Sequence, residues 1–103
     1  MLRTTTVLGA GAVGSFFGAM LARAGHPVTL IARAPHVQAI EQGGLQLHMG
    51  GRVSAVPMMA TTELDAVRGA DLVLFCVKSG DTDALAREIA PLLAPGAIVL
   101  SLQ

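Results

Sequence analysis

The chain has 103 residues, enough for one domain with a modest core, and with 52% hydrophobic and 14% charged residues it is too apolar for disorder. Seven basic residues balance seven acidic ones, so there is no cationic excess to draw in nucleic acid; without Trp or Tyr and with three Phe there is no platform for stacking bases. The single cysteine, Cys76, excludes an intrachain disulfide and fits a reducing compartment, so a cytoplasmic location is expected.

Thr4 to Leu8 is β-branched and apolar and predicts a first strand, broken by Gly9 to Gly11. Ala12 to Ala24 predicts a helix, because Val13, Phe16, Phe17, Met20 and Leu21 recur at helical spacing, and Gly25 ends it. Arg3, the apolar stretch after it and Ala22-Arg23-Ala24 share the outline of a signal peptide. The spacing of Gly9, Gly11, Gly14 and Gly18 is better explained by the glycine loop described below. Pro27 leads into a second strand, Val28 to Ile31, and Pro35 opens a short helix that runs to Gln42 and stops at Gly43-Gly44. Leu45 to Val56 predicts a small hairpin turning at Gly50-Gly51.

Glu63 to Val67 predicts a short helix with Thr62 as its cap. Leu72 to Val77 is apolar at every position, as a strand covered on both faces should be, and Cys76 within it reads as a small buried hydrophobe. Thr82 to Leu93 predicts a second long helix capped by Asp81, and after Pro95-Gly96 a last strand runs from Ala97 to Leu102. No uninterrupted apolar run approaches the ~18–20 residues that span a bilayer, so no membrane partner is expected.

Strands alternating with helices imply an α/β fold, a doubly wound parallel sheet between two helical layers. Residues 1–103 read as one domain, left incomplete because the chain stops on a strand where the sheet still expects its next helix; a longer protein is expected.

Gly9-Ala10-Gly11-Ala12-Val13-Gly14 follows the first strand directly and opens the first helix, which is the context that gives a GxGxxG motif meaning. In a Rossmann-type domain Gly9 would allow the tight turn, Gly11 the approach of a pyrophosphate to the backbone, and Gly14 close packing of helix on strand. Gly18 would extend that packing. Amide groups at the helix start and the helix dipole favour the phosphates. No acid occurs between this loop and Glu41, so the carboxylate that holds the ribose hydroxyls of NAD is missing. Arg33 stands there instead, and a guanidinium can take a 2′-phosphate through paired charged hydrogen bonds, so NADP is expected over NAD. Lys78 follows the strand whose C-terminal end should line the ligand crevice, facing cofactor or substrate. His26, His36 and His48 show no metal-ligand spacing, and no metal is expected.

These residues together resemble the N-terminal portion of the ketopantoate reductase family, the NADPH-dependent 2-dehydropantoate 2-reductases of pantothenate synthesis. The likeness spans essentially the whole chain. It rests on Val7 to Gly14, Gly25-His26, Leu30-Ile31-Ala32-Arg33, Gly43-Gly44-Leu45, Asp71 to Ser79, and Leu100-Ser101-Leu102-Gln103. It implies a Rossmann domain followed by a helical substrate domain, with hydride passing from nicotinamide to the C2 carbonyl of a small 2-oxo acid between them. It places the 2′-phosphate arginine on Arg33, the lysine beside nicotinamide and substrate on Lys78, and a cofactor contact at Gln103. The family's asparagine beside the nicotinamide would follow Gln103, and its general-acid lysine belongs to the helical domain. This chain alone is therefore expected to bind cofactor at best, and the resemblance leaves a homodimer open. Two other readings share the glycine loop: a different NAD(P)-dependent hydroxyacid dehydrogenase, and a non-catalytic NAD(P)-sensing domain. Arg33 in place of an acid argues against the second.

Overall fold

The computed structural model describes residues 4–9, 11–77 and 82–102. Five strands form one parallel sheet: β1 (Thr5–Leu8), β2 (Val28–Ile31), β5 (Met59–Thr61), β6 (Leu72–Phe75) and β7 (Ile98–Ser101), in the spatial order β5-β2-β1-β6-β7. The first strand is flanked in register by the second and the sixth, with Val7 opposite Leu30 on one side and Leu74 on the other. The chain thus winds outward in one direction from β1, then returns to wind in the other. The switch of direction beside β1 is where such sheets open a crevice at the strands' C-terminal ends.

Strand residues alternate between two apolar layers. Val7, Val28, Leu30 and Leu74 face α1 (Ala12–Arg23) and α2 (Ala34–Gly43), where Ile40 joins them. Leu8, Ile31, Val73 and Phe75 face the other way, against Val67, Ala70 and Ile89. Ile89 closes α3 (Thr82–Ile89), and Val67 closes a 3-10 turn over Leu64–Val67. Val7, Leu30, Val67 and Val73 are fully enclosed, each contributing roughly 1.5–3 kcal/mol by burial.

The expected hairpin forms as β3 (Leu45–Met49) and β4 (Arg52–Val56), paired antiparallel around Gly50-Gly51. It stays out of the main sheet and leans on α1, with Leu47 and Val56 packed on Ala19. At the end of α1, Gly25 has φ +92° and its N–H donates to the Ala22 carbonyl, while the His26 N–H reaches back to Leu21. That reciprocal pair satisfies carbonyls which the end of a helix leaves open.

Several expectations are corrected. Strand β5 was not anticipated; it is three residues long and has one neighbour, β2. Thr62 does not cap the segment after it. Glu63 occupies the cap position of the 3-10 turn, and its N–H donates to the Thr61 hydroxyl at 3.1 Å. The helix expected to run to Leu93 ends at Ile89 and continues as a 3-10 turn over Ala90–Leu92. Pro91 is the reason: it lacks an N–H for the α-helical ladder and disfavours helical backbone in the residue before it. Asp81, the expected cap of α3, lies outside the described residues.

Candidate functional site

The strand β1 ends at Leu8 and the chain turns at Gly9, whose N–H donates to the Ile31 carbonyl at 2.9 Å. Gly9 has φ +107°, and a Cβ there would sit 3.0 Å from the backbone of Cys76 at the end of β6. Both the conformation and the space demand glycine. Gly14, one turn into α1, is as constrained: a Cβ would lie 2.7 Å from the Gly9 carbonyl oxygen and 2.9 Å from Cys76 Cβ. The start of α1 therefore rests directly on the loop and on β6. Gly18 is less tight, because a Cβ there would find Val7 at 3.4 Å and Met58 at 3.5 Å, ordinary packing distances.

Gly11 differs from both. It is the cap residue of α1, with φ −65° and ψ 171°, a conformation open to any residue. The nearest atom a Cβ would meet is the Cys76 carbonyl oxygen, 3.9 Å away. Among the described residues nothing requires glycine here. The missing Cβ leaves room in a crevice of about 610 Å³, lined in part by Gly9, Gly11, Cys76 and Val77, within the usual range for a bound small molecule. No side chain caps α1, and its first turn holds no acid, so its amides and positive dipole end stand at the glycine loop.

The crevice extends from the loop past Ile31 and Ala32 to Arg33, Pro35 and His36, where β2 gives way to α2. Arg33 is the exposed cap residue of α2, and Pro35 lies in the first turn. No acidic residue is among the described lining, so the charge offered to a ligand at this end is cationic. Burial pushes the Cys76 thiol above the ordinary thiol range and keeps it protonated near neutral pH. A second hollow, about 450 Å³, opens at the opposite end of the strands between Thr4, His26 and Arg68. It is remote from the glycine loop; of the two, the first crevice sits at the strands' C-terminal ends.

Of the residues singled out from the sequence, Gly9, Gly11 and Arg33 line one crevice, and Gly14 and Val13 lie in the first turns of α1, which Ala12 opens. The Val13 side chain is about half exposed. Ala10, Lys78 and Gln103 lie outside the described residues. His36 was not anticipated. Its signal was its place just past Pro35 in the first turn of a helix that begins beside Arg33, and a search for metal spacing overlooks it. Among the described residues no cluster of His, Cys, Asp or Glu is arranged to hold a metal ion. No helix among them is long and apolar enough to cross a membrane.

Comparison with known proteins places this geometry. Residues 5–103 match the family described as Ketopantoate reductase PanE/ApbA. A 2-dehydropantoate 2-reductase of Pyrococcus abyssi is 43% identical over 98 residues, covering 94% of this chain and 31% of that protein. The crystal structure of a PanE/ApbA family ketopantoate reductase from Ralstonia eutropha JMP134 superposes with a TM-score of 0.92 at 55% identity, over 97% of this chain and 34% of that one. A D-mandelate dehydrogenase solved with NADH and anilino(oxo)acetate superposes at 0.83 with 32% identity, over 96% of this chain and 32% of its own. The chain thus spans about a third of the length of the relatives it matches. It belongs to the ketopantoate reductase PanE/ApbA family.

Proposed function

We propose that this chain is the dinucleotide-binding part of an NADPH-dependent reductase of a 2-oxo acid, with 2-dehydropantoate reduced to pantoate as the reaction. The observation that carries the reading is the pairing of ends in one crevice: a glycine loop with an open Cβ position at Gly11, and a cation, Arg33, beside no acid of the described lining, where an acid would select NAD. The residues fit the cofactor. Gly9, Ala10, Gly11, Ala12, Val13 and Gly14 would carry the pyrophosphate on their backbone and at the start of α1, and Arg33 would hold the 2′-phosphate. NADPH when bound supplies the hydride. Lys78 would orient the substrate beside the nicotinamide and Gln103 would contact the cofactor, as the family likeness assigns them. The partner is a small 2-oxo acid, met in the cytoplasm, and the general acid would come from a substrate domain beyond this chain.

Titration of the protein with NADPH and NADH, with Arg33→Ala alongside, tests this. NADPH should bind at least tenfold tighter, ~1.4 kcal/mol, and Arg33→Ala should erase the difference. Equal binding of the two cofactors by the unaltered protein would overturn the assignment of Arg33. It would favour a second reading, an NAD-using hydroxyacid dehydrogenase, to which the likeness to D-mandelate dehydrogenase points.

A further inference from the structure

We infer that His36 is a second ligand for the cofactor's 2′-phosphate and helps set the preference for NADPH; the inference rests on the reading of Arg33 given above. The position follows from how α2 is seated. Val37 and Ile40 are its buried residues, and Ile40 joins the core on the α1 side of the sheet, which fixes the rotation of the helix about its axis. Arg33 at the cap and His36 in the first turn stand at i and i+3, so they share a side of the helix. That side is the edge of the crevice, which both residues line, and both are exposed to it.

Among the described residues neither side chain has an ion pair or a hydrogen bond. Arg68 pairs with Asp65, far along the chain from this corner, and no acid sits in the first turn of α2. The neighbouring lining, Ala32, Pro35 and Leu64, offers no side-chain donor. A phosphate monoester carries roughly −1.5 to −2 charges near neutral pH and three acceptor oxygens, which one guanidinium does not satisfy. An imidazole presents an N–H in either protonation state and can take one of the remaining oxygens. NADH has a neutral hydroxyl at the same place and gains little from it. His36 thereby adds discrimination that the arginine alone does not supply.

The test compares dissociation constants of NADPH and NADH for the intact protein and for His36→Ala, His36→Gln and Arg33→Ala. Adenosine 2′,5′-bisphosphate and adenosine 5′-phosphate serve as probes that carry no nicotinamide. His36→Ala should weaken NADPH and the bisphosphate by roughly threefold to tenfold and leave NADH and the monophosphate within about twofold. His36→Gln, which keeps an N–H donor, should fall between. Equal weakening of all four ligands would show that His36 only supports the helix, and no weakening of any would show that it is only solvated; either result overturns the inference. If Arg33→Ala abolishes the preference and His36→Ala does not touch it, the inference fails while the arginine reading stands. If neither variant alters the preference, both fail together.

Discussion

Replacing Gly14 by alanine should destabilise the protein, while the same change at Gly18, one turn further along α1, should stabilise it. Within a helix alanine is favoured over glycine by roughly 0.8–1 kcal/mol, so the sign is decided by space. At Gly14 the new Cβ would stand 2.7 Å from the Gly9 carbonyl oxygen and 2.9 Å from Cys76 Cβ. One of these is backbone and the other is bonded directly to it, so neither can swing away. Overpacking of this kind costs about 1–3 kcal/mol, and the upper part of that range applies, leaving a net loss of about 1–2 kcal/mol. At Gly18 the contacts of 3.4 and 3.5 Å are with the ends of Val7 and Met58, and the helical gain of about 0.5–1 kcal/mol survives. Gly11→Ala makes the third arm. Its backbone tolerates alanine and its nearest neighbour would be 3.9 Å away, so stability should stay within about 0.5 kcal/mol. NADPH binding should nevertheless fall, because the Cβ enters the crevice. Urea denaturation followed by far-UV circular dichroism, with NADPH titration of each variant, reads all three. A Gly14→Ala protein as stable as Gly18→Ala would refute the packing argument, and a Gly11→Ala protein that binds NADPH normally would refute the placing of the pyrophosphate.

Leu30→Ala should cost about 2–5 kcal/mol in the same denaturation assay, since Leu30 is fully enclosed on the central sheet. Cys76 should be alkylated more slowly than a free thiol at pH 8, because burial raises its pKa and lowers the thiolate fraction. The same shift has a sign in stability. The folded chain holds the thiol proton more tightly than the unfolded one, so this contribution is complete below the ordinary thiol pKa and is lost as pH rises through the folded value. Denaturation midpoints for the wild type and Cys76→Ala should therefore converge on the alkaline side. Lys78→Ala should lower turnover of the full-length enzyme far more than it weakens NADPH binding; equal losses in the two would mark it as a cofactor ligand only.

Most of the architecture was legible because it depends on strong local signals. Glycines bracket β1 and α1, Leu72 to Phe75 is apolar without interruption, and the paired glycines at 50 and 51 announce the hairpin turn. The unrecognised strand, Met59–Thr61, has no β-branched residue before Thr61, and Met59 is 72% exposed. Its strand character comes from hydrogen bonding to β2, a tertiary effect that local sequence does not carry. Pro91 is a stop signal for α3 that the sequence itself carries. At the site, Gly9, Gly11 and Arg33 could be named from spacing, since each answers to a chain-local rule. His36 could not, because its relevance depends on how α2 is rotated over the sheet.

The hairpin has a consequence for motion. It is built into the crossover between β2 and β5, yet its ten ladder residues hydrogen-bond with one another and not with the parallel sheet. Its attachment is an apolar seam of Ala19, Leu47 and Val56, with Met20 and Ala22 beside it and Leu45 bridging to the main core. Such a unit can open by itself while the central strands remain zipped. Its amides should therefore exchange with solvent deuterium through local opening, well before those of Val7, Leu30 and Leu74. Its outward positions, Val53 among them, should accept substitutions that Val7, Leu30 and Leu74 would not.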